Sequence, residues 1–235
     1  MKRINYKGFN LDIGSKAELY SVLSKCLDTA GCKQAITINP EFIVLAGNNP
    51  ELKSISNSAD IIMIDGFGLA WAVKKYAKGI LRYPGADAVS DLLKFAAEKN
   101  FTVGIIARPK GLSSPERIER AIRKLFPALQ EKIWNEDNVD IEKINQENIQ
   151  LLILTLGQPK QEIWISENKS SLRTCKLVIG AGGAIDFLTG AKKRAPGFFR
   201  KIGLEWLWRL IIQPSRIKRI WRATFGFWYT ILFKL

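Results

Sequence analysis

The sequence predicts an α/β fold, a Rossmann-like and mostly parallel sheet flanked by helices, followed by a helical C-terminal appendage. Apolar strand-like runs alternate with helical patterns, as in parallel sheets covered by helices. The 235 residues, 47% of them hydrophobic, suffice for one sizeable core. Basic and aromatic residues are concentrated near the C-terminus. We therefore expect an α/β domain over residues 1–195 and a membrane-associating appendage over residues 196–235.

Each element has a local signal, in chain order. Residues 1–14 predict a hairpin, because Lys7-Gly8 provides a turn between two short runs. Strands are predicted over residues 35–38, 60–64, 102–106, 151–155 and 177–179. Helices are predicted over residues 16–30, 66–76, 87–99, 115–125 and 159–168, whereas the acidic residues 130–148 carry no predicted element. In such folds ligands bind at the carboxyl ends of the strands.

The composition excludes several kinds of site. The chain has no histidine, which excludes Ser-His and Cys-His nucleophile systems and the usual zinc ligand sets. Its three cysteines form no C-x-x-C pair, and no Asp-x-Asp motif occurs. We therefore expect a carboxylate, or else Lys, Tyr or Cys, as any general base, with no metal and no cofactor. The N-terminal residues lack the apolar stretch of a signal peptide, so we expect a cytosolic chain.

The appendage has a strong positive charge. Residues 192–235 contain eleven of the 36 Lys and Arg residues and one acid, Glu205, so they hold ten of the fourteen net positive charges. Pro214 suits the first position of a helix. Apolar residues then recur at i, i+3 and i+4 spacing: Ile217, Ile220, Trp221, Phe225 and Trp228. A basic amphipathic helix with aromatic residues is typical of a segment that lies on an anionic membrane surface.

This helix is too short to cross a bilayer. Its uncharged run, residues 223–233, spans about 16 Å at ~1.5 Å per residue, against a hydrocarbon core of about 30 Å. The alternative is that its aromatic side chains pack on the domain core. An exposed apolar tail can also self-associate, which leaves a homo-oligomer open.

Polar residues follow several predicted strands. Thr37 and Asn39 lie on the same side of the first strand after the hairpin, although Asn39 is equally suited to be only a helix N-cap. Asp65 follows the next strand, where a carboxylate can act as a base, although Asp-Gly is also ordinary turn chemistry. Lys160 and Gln161 lie in the first turn of a predicted helix, where backbone N–H groups favour anions.

A glycine-rich turn, GAGG at 180–183, follows the last predicted strand and precedes Asp186. Glycines such as Gly182 let the backbone approach a phosphate closely. The turn matches neither G-x-G-x-x-G nor a Walker A motif, so the glycines alone are weak evidence.

Eight motifs stand in order along nearly the whole chain. They are TINP at 37–40, DGFG at 65–68, RYPGAD at 82–87, GQPKQEIW at 157–164, residues 180–190, RAP at 194–196, GLEWLWR at 203–209 and PSRIKR at 214–219. Each is weak alone, but the ordered set is highly specific and resembles the WecG/TagA/CpsF glycosyltransferase family. Residues 107–111 depart from the glycine-rich turn of relatives, which bears on donor choice.

The resemblance implies a reaction. Such enzymes transfer N-acetylmannosamine, or its uronic acid, from UDP to N-acetylglucosamine on undecaprenyl diphosphate, for teichoic acid or surface polysaccharide synthesis. It also implies inversion at the anomeric carbon, no metal, and a peripheral position on the inner face of the cell membrane.

The resemblance assigns roles as well. Asp65 would be the general base, and Thr37 and Asn39 would line its pocket. Gln161 would contact polar groups of the donor or acceptor, and Arg82 would lie near the substrate. Arginines of the appendage would complete the site and offset charge on the UDP leaving group: Arg209, Arg216 and Arg219.

Two other classes stay as alternatives. A membrane-associated nucleotide-binding protein of other activity is disfavoured by the missing G-x-G-x-x-G motif. A nucleic-acid-binding protein is suggested by the basic composition, but basic residues on an aromatic amphipathic tail fit lipid better than a phosphate backbone.

Overall fold

The computed structural model describes residues 1–76, 82–108, 110–201 and 203–234. Within these residues lies an eight-stranded sheet of β1 Lys2–Tyr6, β2 Phe9–Ile13, β3 Lys33–Ile38, β4 Ile61–Ile64, β5 Thr102–Ala107, β6 Gln130–Asn135, β7 Leu151–Leu154 and β8 Leu177–Gly180. The strand order is β1-β2-β4-β3-β8-β7-β5-β6. The hairpin β1–β2 is antiparallel and every other neighbouring pair is parallel. The predicted fold class is confirmed.

Helices lie between the parallel strands and after the last one. In the described ranges they are α1 Lys16–Leu27, α2 Pro40–Gly47, α3 Pro50–Asn57, α4 Phe67–Val73, α5 Gly85–Glu98, α6 Pro115–Leu125, α7 Ile141–Gln146, α8 Lys160–Asn168, α9 Ala184–Leu188, α10 Gly197–Lys201, α11 Glu205–Ile212, α12 Ile217–Trp221 and α13 Phe227–Phe233. A π-helical turn, Arg222–Gly226, joins α12 to α13.

The two faces of the sheet are covered by different helices, because side chains alternate along each strand. Ile61 and Met63 of β4 join a core cluster with residues of α1, α5 and α6. Ile62 and Ile64 join a second cluster on the other face, with residues of α2, α3 and α4. Burial on both faces leaves the carboxyl ends of the strands as the accessible edge, where their loops converge.

Local signals in the sequence set the beginnings of several helices. Ser15 and Glu18 form a reciprocal capping box at the start of α1. Pro40, Pro50 and Pro115 occupy the first turns of α2, α3 and α6, where the missing N–H costs no hydrogen bond. The hairpin, the five predicted strands and the five predicted helices are therefore observed, with ends shifted by a few residues.

One strand was missing from the sequence prediction. β6 covers six residues of sequence QEKIWN, and it pairs only with β5 at the edge of the sheet. An edge strand with partly exposed, polar residues lacks the apolar run that identifies buried parallel strands. For this reason no strand was predicted over residues 130–148, and α7, which was not predicted either, also lies in that range.

The appendage packs on the body through α13. Phe227 is fully buried and Ile231 nearly so, in the cluster that contains Phe42 and Ile43 of α2. Ile217, Trp221 and Phe225 are more than half exposed. The alternative of core packing therefore holds for Phe227 and Ile231, whereas the membrane-surface interpretation stays a prediction for the side chains that face solvent. No helix in the described ranges combines the length and apolar character needed to cross a bilayer.

Candidate active site

A cleft of about 1000 Å³ lies at the carboxyl ends of β3, β4, β5, β7 and β8, and residues of the appendage form one of its sides. The predicted site residues that line it are Thr37, Asn39, Asp65, Arg82, Gln161, Gly182, Asp186 and Arg219. Lys160 is directed elsewhere, since its ammonium group lies 3.1 Å from Glu136. The side chains of Arg209 and Arg216 lie outside the described part of the structure.

Asp65 is held at the end of β4 by its backbone. Its N–H donates to the carbonyl of Ile38 at 2.8 Å, and the Gly85 N–H lies 3.4 Å from its Oδ2. Gly66 has φ +95°, and a Cβ there would lie 2.8 Å from Pro40 Cδ, so the turn requires glycine. The Asp65 side chain is 29% exposed, and it lines the cleft. The turn interpretation of Asp-Gly is thus confirmed, and the same turn presents a carboxylate to the cleft.

Arg82 lies between two carboxylates. Its Nη2 is 2.7 Å from Oε2 of Glu205 and 3.7 Å from Oδ1 of Asp65. Burial disfavours charge on Arg82, but the carboxylates outweigh burial and raise the pKa of Arg82 above its ordinary value. Arg82 therefore stays positively charged beside Asp65.

Asn39 has two contacts that fix its side chain. Its Oδ1 accepts a hydrogen bond from Phe42 N–H at 2.9 Å, which makes it the N-cap of α2. Its Nδ2 donates to Oε1 of Gln158 at 3.0 Å, and Gln158 Nε2 donates to the carbonyl of Thr37 at 2.6 Å. The N-cap interpretation is confirmed, and the capping side chain also lines the cleft. Gln158 was not selected from the sequence, although it lies inside the GQPKQEIW motif.

Gln161 joins two glycine loops. Its Oε1 accepts from the N–H groups of Gly157 and Gly182, both at 3.1 Å. Its Nε2 donates to Oε1 of Glu162 at 2.8 Å. Burial raises the pKa of Glu162 to about 7, although hydrogen bonds to its carboxyl oppose the shift. These contacts give Gln161 a role in shaping the loops, while its contact with a donor or acceptor stays a prediction.

Asp186 and Arg219 are each held by a partner. Asp186 accepts from Lys192 Nζ at 2.6 Å and from Ser113 Oγ at 2.9 Å. The guanidinium of Arg219 grips Glu41 with Nε and Nη2 at 3.0 and 2.9 Å. Glu41 lies in the first turn of α2, so this ion pair ties the appendage to the helix that Asn39 caps.

Positive charge dominates the cleft. Among the described residues that line it, three are acids and seven are bases: Asp65, Asp186 and Glu205, against Arg82, Arg108, Lys110, Lys192, Lys193, Arg194 and Arg219. Arg108 donates to the carbonyl of Leu156, and Arg194 pairs with Asp87 at 2.7 Å. An excess of cations in a concave site attracts anionic ligands.

Sequence reasoning missed most of these bases. Arg108 and Lys110 follow β5, and Lys192 and Lys193 follow α9. Their position directly after a strand or helix could have marked them as candidate site residues. Only the three-dimensional arrangement of the elements shows that their side chains line the same cleft. Within the described structure, no three acidic or cysteine side chains cluster as metal ligands would.

A family model described as Glycosyl transferase WecG/TagA/CpsF family matches residues 4–235. The match includes every strand end that contributes to the cleft and the appendage that forms one of its sides.

Proposed function

The chain belongs to the WecG/TagA/CpsF family of glycosyl transferases, and we propose that it transfers N-acetylmannosamine, or its uronic acid, from UDP to N-acetylglucosamine on undecaprenyl diphosphate. The observation that carries the proposal is the carboxylate of Asp65, which is open to a cleft rich in positive charge. The cleft volume of about 1000 Å³ lies at the upper end of the range for small-molecule sites and suits a nucleotide sugar.

In the proposed reaction, an acceptor hydroxyl attacks C1 of the donor sugar. Asp65 takes the hydroxyl proton as the new C–O bond forms. The bond between C1 and the diphosphate oxygen breaks, and its electron pair leaves with UDP. A single displacement of this kind inverts the anomeric centre. Asp65 suits the role because neither neighbour binds its carboxylate closely: Gly85 N–H lies at 3.4 Å and Arg82 at 3.7 Å.

The UDP leaving group gains negative charge, which the cations of the cleft would stabilise. Preorganised charges of this kind need no reorganisation during the reaction. Lys110 and Lys193 line the cleft and, among the described residues, have no ion-pair or hydrogen-bond partner, so both are available to phosphate oxygens. Arginine is well suited to phosphate oxygens. We therefore propose that Arg82 lies near the diphosphate and that three arginines of the appendage offset its charge: Arg209, Arg216 and Arg219. Protein cations then replace a divalent metal.

The appendage would place this site on the inner face of the cell membrane. Its exposed apolar side chains include Phe198, Ile211, Trp221, Phe225 and Phe233. They accompany a net charge of +10 over residues 192–235. Each basic residue near an anionic leaflet contributes about 1 kcal/mol of attraction. Such docking would bring the cleft to a lipid-linked acceptor. We further propose that the product serves the synthesis of teichoic acid or another surface polysaccharide. In solution, without a membrane, the exposed apolar side chains of the appendage would favour self-association into a homo-oligomer.

The experiment is a transfer assay with radiolabelled UDP-N-acetylmannosamine and a short-chain polyprenyl-diphosphate N-acetylglucosamine. EDTA is present in one series and Mg²⁺ in the other. We expect a disaccharide-lipid at equal rates in both. Product from the uronic acid donor alone would change only the sugar, and product only with Mg²⁺ would contradict the metal-independent mechanism. No product from either donor would overturn the proposed function.

A further inference from the structure

Glu205 is an acid in a strongly basic segment. It is the single acidic residue among residues 192–235 and begins α11 of the appendage. Only 8% of it is exposed. Burial of a carboxylate is unfavourable unless a charged or hydrogen-bonding partner compensates it, and Arg82 Nη2 provides one at 2.7 Å.

The same Arg82 nitrogen also faces Asp65, but at 3.7 Å. The guanidinium of Arg82 therefore faces two carboxylates, and its contact with Glu205 of the appendage is the shorter one. Two other described charged groups have partners of their own. Asp87 pairs with Arg194 at 2.7 Å, and Arg219 of the appendage is bound by Glu41 at 2.9 Å.

We propose that Glu205 is a positioning residue that holds Arg82 away from Asp65, so that docking of the appendage leaves the Asp65 carboxylate free to accept a proton. This inference rests on the proposed function. Without Glu205, Arg82 would close on Asp65 and form a direct ion pair. A carboxylate in such a pair is easier to ionise and is a weaker base. With Glu205 in place, the appendage therefore contributes to catalysis in two ways: Glu205 keeps Asp65 a stronger base, and the arginines offset the charge of the leaving group.

The test is the pH dependence of kcat for Glu205→Gln in the full-length chain. We expect the plateau of kcat to fall about tenfold, a size typical of coupling between contacting charged residues. The acidic limb of the profile should move about one unit to lower pH, because the base is harder to protonate. A purely structural role would lower the plateau and leave the limb in place, and that result would overturn the proposal.

Two further variants keep the test sharp. Lys234→Ala removes another contact between appendage and body, the 2.7 Å hydrogen bond to Asn48, and should leave the profile unchanged. Glu205→Asp keeps the charge on a shorter side chain and should give an intermediate shift, so it carries the same test if Glu205→Gln does not fold.

A double-mutant cycle shows whether the effect passes through Arg82. In an Arg82→Met background, Glu205→Gln should change kcat less than twofold, because the guanidinium that it controls is gone. An equal factor in both backgrounds would overturn the proposal. If the wild type makes product and Glu205→Gln has the same kcat and pH profile, this inference is wrong but the proposed function stands. If the wild type makes no product, the proposed function fails and the inference falls with it.

Discussion

Glu162 is a buried carboxyl group whose surroundings raise its pKa. It has no exposed surface, its Oε1 accepts from Gln161, and within the described structure its Oε2 has no hydrogen-bond partner. Burial raises its pKa to about 7 from an ordinary value of 4.5, against hydrogen bonds that lower it. Between these two pH values the folded chain binds more protons at this position than the unfolded chain does.

The free energy of unfolding should therefore fall as pH rises from about 4.5 to 7. The contribution of Glu162 is complete below its unfolded pKa and is lost as pH passes its folded pKa. Its upper bound is about 3 kcal/mol. Urea unfolding of Glu162→Gln should show a weaker pH dependence than the wild type over this range. Glu167→Gln, an exposed position on the same helix, is the matched control. Equal pH dependence in wild type and Glu162→Gln would contradict this account.

The sequence alone identified a residue of the cleft when that residue directly follows a buried strand. Asn39 and Asp65 immediately follow buried strands, and the structure places both in the cleft. Contacts between distant parts of the chain could not be predicted. Gln158 meets Asn39 across 119 positions, because the strand order brings these segments together, and Arg82 meets Glu205 across 123, because the appendage packs on the α/β body.

Gly180 controls how two elements meet, the end of β8 and the beginning of α8. A Cβ at Gly180 would lie 2.6 Å from Nε2 of Gln161. Gly180→Ala should displace the Gln161 side chain and loosen its bonds to the glycine loops. We expect a loss of about 1–3 kcal/mol in unfolding free energy and weaker binding of UDP.

Calorimetry with UDP and urea unfolding measure the two effects of Gly180→Ala. Gly197→Ala is the matched control, since a Cβ there would meet nothing within 4 Å. It should change stability by no more than about 0.5 kcal/mol. UDP affinity at the wild-type level in Gly180→Ala would contradict the role given to Gln161.

Phe225 and Phe227 are two positions apart in the same helical segment but have opposite surroundings. Phe227 is fully buried against α2, while Phe225 is 69% exposed. Phe227→Ala should lower the unfolding free energy by about 3–5 kcal/mol, whereas Phe225→Ala should change it by no more than about 0.5 kcal/mol. Thermal and urea unfolding measure both, and equal effects would show that α13 is not packed as described.

The sequence predicted the appendage helix but not which of its faces is buried. Periodicity grouped Phe225 with Trp221 and Trp228, yet Trp221 and Phe225 are exposed, whereas Phe227 and Ile231 are buried in the core and Trp228 packs partly against it. The π-helical turn Arg222–Gly226 departs from the α-helical repeat that such a periodicity assumes. A count based on 3.6 residues per turn therefore fails beyond Trp221.

At the scale of the whole molecule, charge and exposed aromatic residues predict where the enzyme works. The wild-type protein should bind vesicles that contain anionic lipid and should not bind neutral vesicles. Its binding to anionic vesicles should weaken as the salt concentration rises. Because salt also weakens binding to nucleic acid, single-stranded DNA is the necessary comparison. Phe225→Ala should weaken vesicle binding and leave any DNA binding unchanged. Tighter binding to DNA than to vesicles, with no effect of Phe225→Ala, would contradict the membrane assignment.

The central claim concerns the whole site: Asp65, in a cleft completed by the appendage, removes the proton from the acceptor. The most direct measurement is kcat for sugar transfer by Asp65→Asn beside the wild type, with UDP affinity and urea unfolding measured on both. Asparagine keeps the size of the side chain and cannot accept the proton. We predict unchanged UDP affinity and folding, with kcat lower by about 10²–10⁴-fold. Turnover near the wild-type rate in folded Asp65→Asn would contradict the claim.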